Sequence, residues 1–109
     1  DLRENLARTA RAYGKDIIVV EAAYNYRPSE YKEGGAPFPE TPEGQRQFWE
    51  ELARVVMETP DGRGVGLFWW EPATPKGPLN RVFFDDDGAA LPVMTVFDKF
   101  TRGVPAKAR

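Results

Sequence analysis

The chain has 109 residues, 41% hydrophobic and 29% charged, with a formal net charge of −2 and neither cysteine nor histidine. Such a composition suits one small globular domain and excludes disulfides, Cys–His or Ser-His-Asp nucleophile sets within the chain, and zinc sites built on the usual ligands. No basic stripe is present of the kind nucleic acid requires, and no apolar run reaches the roughly 18 residues of a membrane span, so neither partner is expected. Acid–base chemistry here must rest on carboxylates, Lys or Tyr.

Taken in chain order, Leu2, Leu6, Ala10 and Tyr13 recur at helical spacing, and Gly14 supplies a stop. Asp16-Ile17-Ile18-Val19-Val20 is a short β-branched run that predicts a strand buried on both faces, as parallel strands are. From residue 22 to 41 the chain turns polar, with Pro28, Gly34, Gly35, Pro37, Pro39 and three tyrosines, and reads as a long loop. Thr41-Pro42-Glu43 starts a helix with a hydroxyl cap and a proline at its first position. Phe48, Leu52, Val55 and Val56 form its expected apolar stripe. The turn chemistry of Thr59-Pro60-Asp61-Gly62-Arg63-Gly64 ends that helix, and Val65-Gly66-Leu67-Phe68-Trp69-Trp70 predicts a second buried strand. A further loop runs from Glu71 to Leu91. Pro92 then opens a short helix with Val93, Val96, Phe97 and Phe100 on one face, and residues 102–109 read as a tail.

Strands alternating with helices mean a parallel α/β sheet. Two strands alone leave open edges and an uncovered face, so the sheet is expected to continue in residues outside this chain or in another copy. The long loops follow the strands and the short connections precede them, which is the asymmetry of a (β/α)8 barrel of about 250 residues. The expected organisation is therefore one partial barrel domain over 1–109, unstable or self-associating when isolated.

Glu21 places a charge where the first apolar run ends. Alternation puts Ile17, Val19 and Glu21 on the inward face, at the catalytic rim of a barrel, although a solvated strand-end glutamate reads the same way locally. Trp70 ends the second strand on the face of Gly66 and Phe68, where an aromatic plate could meet a sugar ring, while Trp69 belongs with Val65 and Leu67 against the helices. Glu71 could hold the nucleophile, bind a sugar hydroxyl, or cap the loop. Tyr24, Tyr26 and Tyr31, with Asn25 and Arg27, either line a saccharide groove or pin the loop to the surface. Asp85-Asp86-Asp87-Gly88 lacks the alternate-residue spacing of a calcium loop and reads as a turn. Glu43, Glu50, Glu51 and Glu58 read as a solvated helix face.

Ile17-Ile18-Val19-Val20-Glu21-Ala22-Ala23-Tyr24 resembles the seventh-strand motif of glycoside hydrolase family 53, the arabinogalactan endo-β-1,4-galactanases. Thr41-Pro42-Glu43-Gly44-Gln45 is similar to that family's following helix start, and Gly62 through Ala73 to its eighth strand. Phe84-Asp85, Gly88, Ala90-Leu91-Pro92 and Val96-Phe97 are similar to its closing segment. The sequence departs from the pattern at Asn25-Tyr26, where the family usually carries Pro-Trp, and at Thr74, where it commonly carries Trp. The resemblance implies the part of a barrel around strands seven and eight, with Glu21 as nucleophile of a retaining hydrolase and Trp70, Glu71, Tyr24, Asn25 and Tyr26 around the substrate. It implies a galactan-type polysaccharide as partner, a secreted or extracytoplasmic location, and no organic cofactor. It also admits a calcium ion, for which no residue of this chain can be named. The general acid of the family lies outside the chain, so the isolated 109 residues are expected to be inactive. The competing expectation is a non-catalytic saccharide-binding or interaction remnant of such a barrel.

Overall fold

The computed structural model describes residues 1–28, 36–74 and 80–100. Helix α1 (Leu2–Tyr13) begins where the Asp1 carboxylate accepts from the Arg3 N–H, and it stops at Gly14, in the left-handed region at φ 59°. Strand β1 (Ile17–Ala22) follows a short turn. Helix α2 (Pro42–Met57) starts from Thr41, whose hydroxyl accepts from the Gly44 N–H, so the capping chemistry read from Thr41-Pro42 is what forms. A 3-10 turn at Pro60–Gly62 leads into strand β2 (Gly64–Trp69), and a second at Pro92–Thr95 leads into helix α3 (Val96–Phe100).

β1 and β2 pair in parallel, with α2 as the crossover between them. One sheet face is covered: Ala22, Leu67 and Trp69 pack against a core that includes Trp49, Leu52, Phe83, Val93 and Val96. The Trp69 ring lies 5.0 Å from Trp49 and 4.9 Å from Phe83, centroid to centroid. Trp49 changes the stripe expected on α2. The buried positions are Gln45, Trp49, Leu52 and Val56, while Phe48 and Val55 are half-buried. The indole carries far more apolar area than valine, and the helix turns to place it under Trp69.

The opposite face is open, so the two strands are buried on one face rather than two. Val20 is 75% exposed, Phe68 59% and Trp70 46%, with Ile18 beside them. Ile18 packs over Gly66, where a Cβ would come within 3.2 Å of its methyl. Val19 does not share the open face as alternation suggested. It pairs with Leu67, and Ala22 pairs with Trp69, so three steps along β1 match two along β2. This irregularity leaves Val20 and Glu21 both exposed, side by side, between core-facing neighbours.

The connections that enter the strands are short, and those that leave them are long and tied together. The Tyr26 N–H donates to the Asn80 carbonyl at 2.7 Å, and the Phe83 N–H to that of Pro72 at 2.8 Å.

Candidate active site at the strand ends

Glu21 sits exposed one residue before β1 ends. Trp70 lies just past the end of β2, where its N–H donates to the Ala22 carbonyl at 2.8 Å and extends the ladder by one bond. The register shift and this added bond leave an exposed carboxylate and an exposed indole at the same end of the sheet. A carboxylate beside an exposed aromatic plate can offer an anionic nucleophile to a sugar whose apolar face rests on the ring.

Glu71 follows with φ 54°, a left-handed conformation that costs a non-glycine residue about 1–2 kcal/mol. Its carboxylate accepts from the Arg81 guanidinium at 2.9 Å, which ties the start of the second loop to its far side. Tyr24 and Asn25 close the neck of the first loop. The Tyr24 hydroxyl donates to the Phe38 carbonyl at 2.5 Å and accepts from the Phe38 N–H at 3.0 Å, and its ring stacks on Phe48. The Asn25 amide donates to Glu40 at 2.7 Å. Tyr26 turns away from the surface: at 7% exposure it is a core residue, with the Arg27 guanidinium over its ring. Tyr31 lies outside the described residues.

Two residues of this region were not singled out in the sequence. Gln45 is fully buried on the first turn of α2, and its amide NH₂ donates to the carbonyls of Tyr24, Arg81 and Val82 at 3.1, 3.3 and 3.0 Å. Arg81 holds Glu71 by its side chain, and its carbonyl also accepts from the Trp69 indole N–H at 2.7 Å. The available signal was a polar residue four positions before Trp49 on the buried stripe of a helix.

Asp85 builds a turn. Its carboxylate accepts from the N–H groups of Asp87 and Ala89, and Gly88 takes φ 83°. Asp86 pairs with Arg27 at 2.9 Å. Among the described residues, no group of three or more His, Cys, Asp or Glu side chains is placed to hold a metal ion.

The sequence profile of glycosyl hydrolase family 53 matches residues 1–102. The chain is 32% identical to an arabinogalactan endo-β-1,4-galactanase of Thermothelomyces thermophilus over 113 residues, which cover 90% of this chain and 32% of that protein. It is 39% identical over 82 residues to an uncharacterized protein of Niallia circulans encoded in the bgaB 5′ region, covering 66% of this chain and 22% of the other. Among solved structures, a fungal β-1,4-galactanase matches with a TM-score of 0.74 and 30% identity, over 91% of this chain and 32% of its own. The chain thus spans between about a fifth and a third of the length of these relatives. The shared fold is that of a (β/α)8-barrel catalytic domain, of which the two-stranded sheet is a part. By its profile match and by its fold, the chain belongs to glycosyl hydrolase family 53.

Proposed function

We propose that these residues form strands seven and eight of a retaining β-1,4-galactan hydrolase, with Glu21 as its nucleophile. The observation that carries this reading is that exposed Glu21 and exposed Trp70 both stand at the loop-bearing end of two parallel strands, in a chain of this family. β1 and β2 then make up one sector of the barrel wall. The remaining strands cover the open face formed by Ile18, Val20 and Phe68.

Glu21 attacks the anomeric carbon and displaces the leaving oxygen, giving a glycosyl-enzyme ester. A second carboxyl roughly 5–5.5 Å away, contributed by another strand of the whole protein, protonates that oxygen and later activates water. Trp70 supports the sugar ring, and Glu71, held by Arg81, shapes the loop beside it. Tyr24 and Asn25 keep the first loop in place behind the substrate. A polymeric galactan substrate implies that the protein works outside the cytoplasm, where such polymers are met.

The test compares galactan, mannan and glucan as substrates for the full-length protein. Galactan should be cleaved fastest. Glu21→Gln should lower its turnover by on the order of 10⁴-fold or more while galactan binding persists. The 109-residue chain by itself should show no turnover, because it lacks the second carboxyl. A full-length protein that binds galactan and cleaves none would instead establish the non-catalytic saccharide-binding reading. Hydrolysis by the isolated chain would contradict the division of the two carboxyls.

A further inference from the structure

We propose that Gln45 is a positioning residue for the active site: from the first turn of α2 its amide fixes the loops leaving β1 and β2 in one arrangement. This inference rests on the reading of Glu21 and Trp70 as the catalytic rim.

Gln45 is 0% exposed at the head of the apolar stripe of α2, a position where leucine or methionine would bury more apolar area with no polar atom to satisfy. Its NH₂ group instead reaches one carbonyl from the first loop, that of Tyr24, and two from the second, those of Arg81 and Val82. Only the NH₂ end of the amide suits this cluster, since the oxygen end would face three carbonyls. Gln45 Oε1 is left buried without a partner, so the amide accepts an unsatisfied acceptor in order to hold both loops.

Two of the three acceptors lead to the candidate site by a short path. Tyr24 is three residues beyond Glu21. Arg81 grips the Glu71 carboxylate, and Glu71 adjoins Trp70. The base of the link is firm: Thr41 caps the first turn of α2, and Gly44 packs so close to Pro39 that a Cβ there would lie 1.8 Å from its carbonyl oxygen. Gln45 therefore sets the spacing between the nucleophile's loop and the loop of the sugar plate. Misplacing a reacting group by about 1 Å can cost 10²-fold in rate.

The experiment uses the full-length protein with Gln45→Met, which keeps the length and loses the donors, and Gln45→Glu. Competent sites are counted by trapping the glycosyl-enzyme with a 2-deoxy-2-fluoro galactoside. For Gln45→Met, kcat per trapped site should fall by about 10²-fold, with KM changed by less than about threefold. For Gln45→Glu, kcat per trapped site should recover in part as pH falls, because only the protonated acid can donate to a carbonyl. Per-site kcat within about twofold of wild type at every pH, whatever the loss in Tm, would make Gln45 a packing residue and overturn the proposal. Failure of both variants to fold would count equally against it. A wild-type protein that cleaves no galactan fails the functional reading first. An active wild type with unimpaired Gln45→Met sites fails only this inference.

Discussion

At single positions, the decisive side chains are those whose neighbours leave no alternative. Gly64 opens β2 so close to α2 that an added Cβ would lie 1.7 Å from the Val56 carbonyl oxygen. Gly64→Ala must push the strand and the helix end apart, and the expected loss is roughly 2–3 kcal/mol in denaturant unfolding. A loss below about 0.5 kcal/mol would mean the helix end gives way freely. The sequence reads Gly64 only as turn chemistry; the close approach that demands it arises from packing between elements. Glu21 is different, because a charge that ends a β-branched run is visible locally, and the structure leaves it exposed at the strand end. Tyr26 was not visible. An aromatic ring in a polar, proline-rich stretch reads as surface, and it is buried only because the segment around Asn80 to Leu91 folds back over it.

Among the elements, α2 carries both the crossover and much of the core. Its start was legible from Thr41-Pro42, since capping is a local matter. Its rotation was not, because the choice between Val55 and Trp49 as the central residue depends on Trp69 and Phe83, far away in sequence. The parallel pairing of β1 and β2 followed from the alternation of elements, whereas the register shift near Glu21 has no local signature. The outer side of α2 holds a charge ladder rather than loose solvated carboxylates: Arg46 bonds Glu43 and Glu50, and Lys99 of α3 reaches Glu50 at 3.0 Å. The Lys99 and Arg46 cations hold the Glu50 carboxyl below its usual value of 4.5. A lowered folded-state pKa stabilises above the unfolded value, and that stability is lost as pH falls through the lower folded one. Stability against urea should therefore decline as pH drops below about 4.5, and Glu50→Gln should flatten part of that decline. Glu43, lowered by Arg46, keeps the remainder. At neutral pH the variant should lose about 1 kcal/mol, since the exposed Lys99 partner leaves the ladder open to solvent. An acid slope unchanged by Glu50→Gln would show that the ladder is not the source.

At the scale of the molecule, the chain presents an open apolar sheet face. Ile18, Val20 and Phe68 are exposed on it, and an apolar cavity of about 310 Å³ opens on the helix-covered side between α2, β2 and α3, lined by Trp49, Val56, Leu67, Val96, Phe97 and Phe100. The one-sided burial is what two strands of a larger wall should show, and the loop asymmetry already pointed to a barrel in the sequence. On the proposed reading the second carboxyl comes from another strand of the whole protein, so nothing in these residues points to it. Everything proposed about chemistry converges on Glu21 as the atom donor of the covalent bond. The most direct measurement treats the full-length protein with a 2-deoxy-2-fluoro galactoside and maps the labelled peptide by mass spectrometry. The account predicts one galactosyl label per protein, on the Glu21 carboxylate and absent from Glu21→Gln. A label on any other residue, or rapid turnover with inversion and no trapped intermediate, would contradict it.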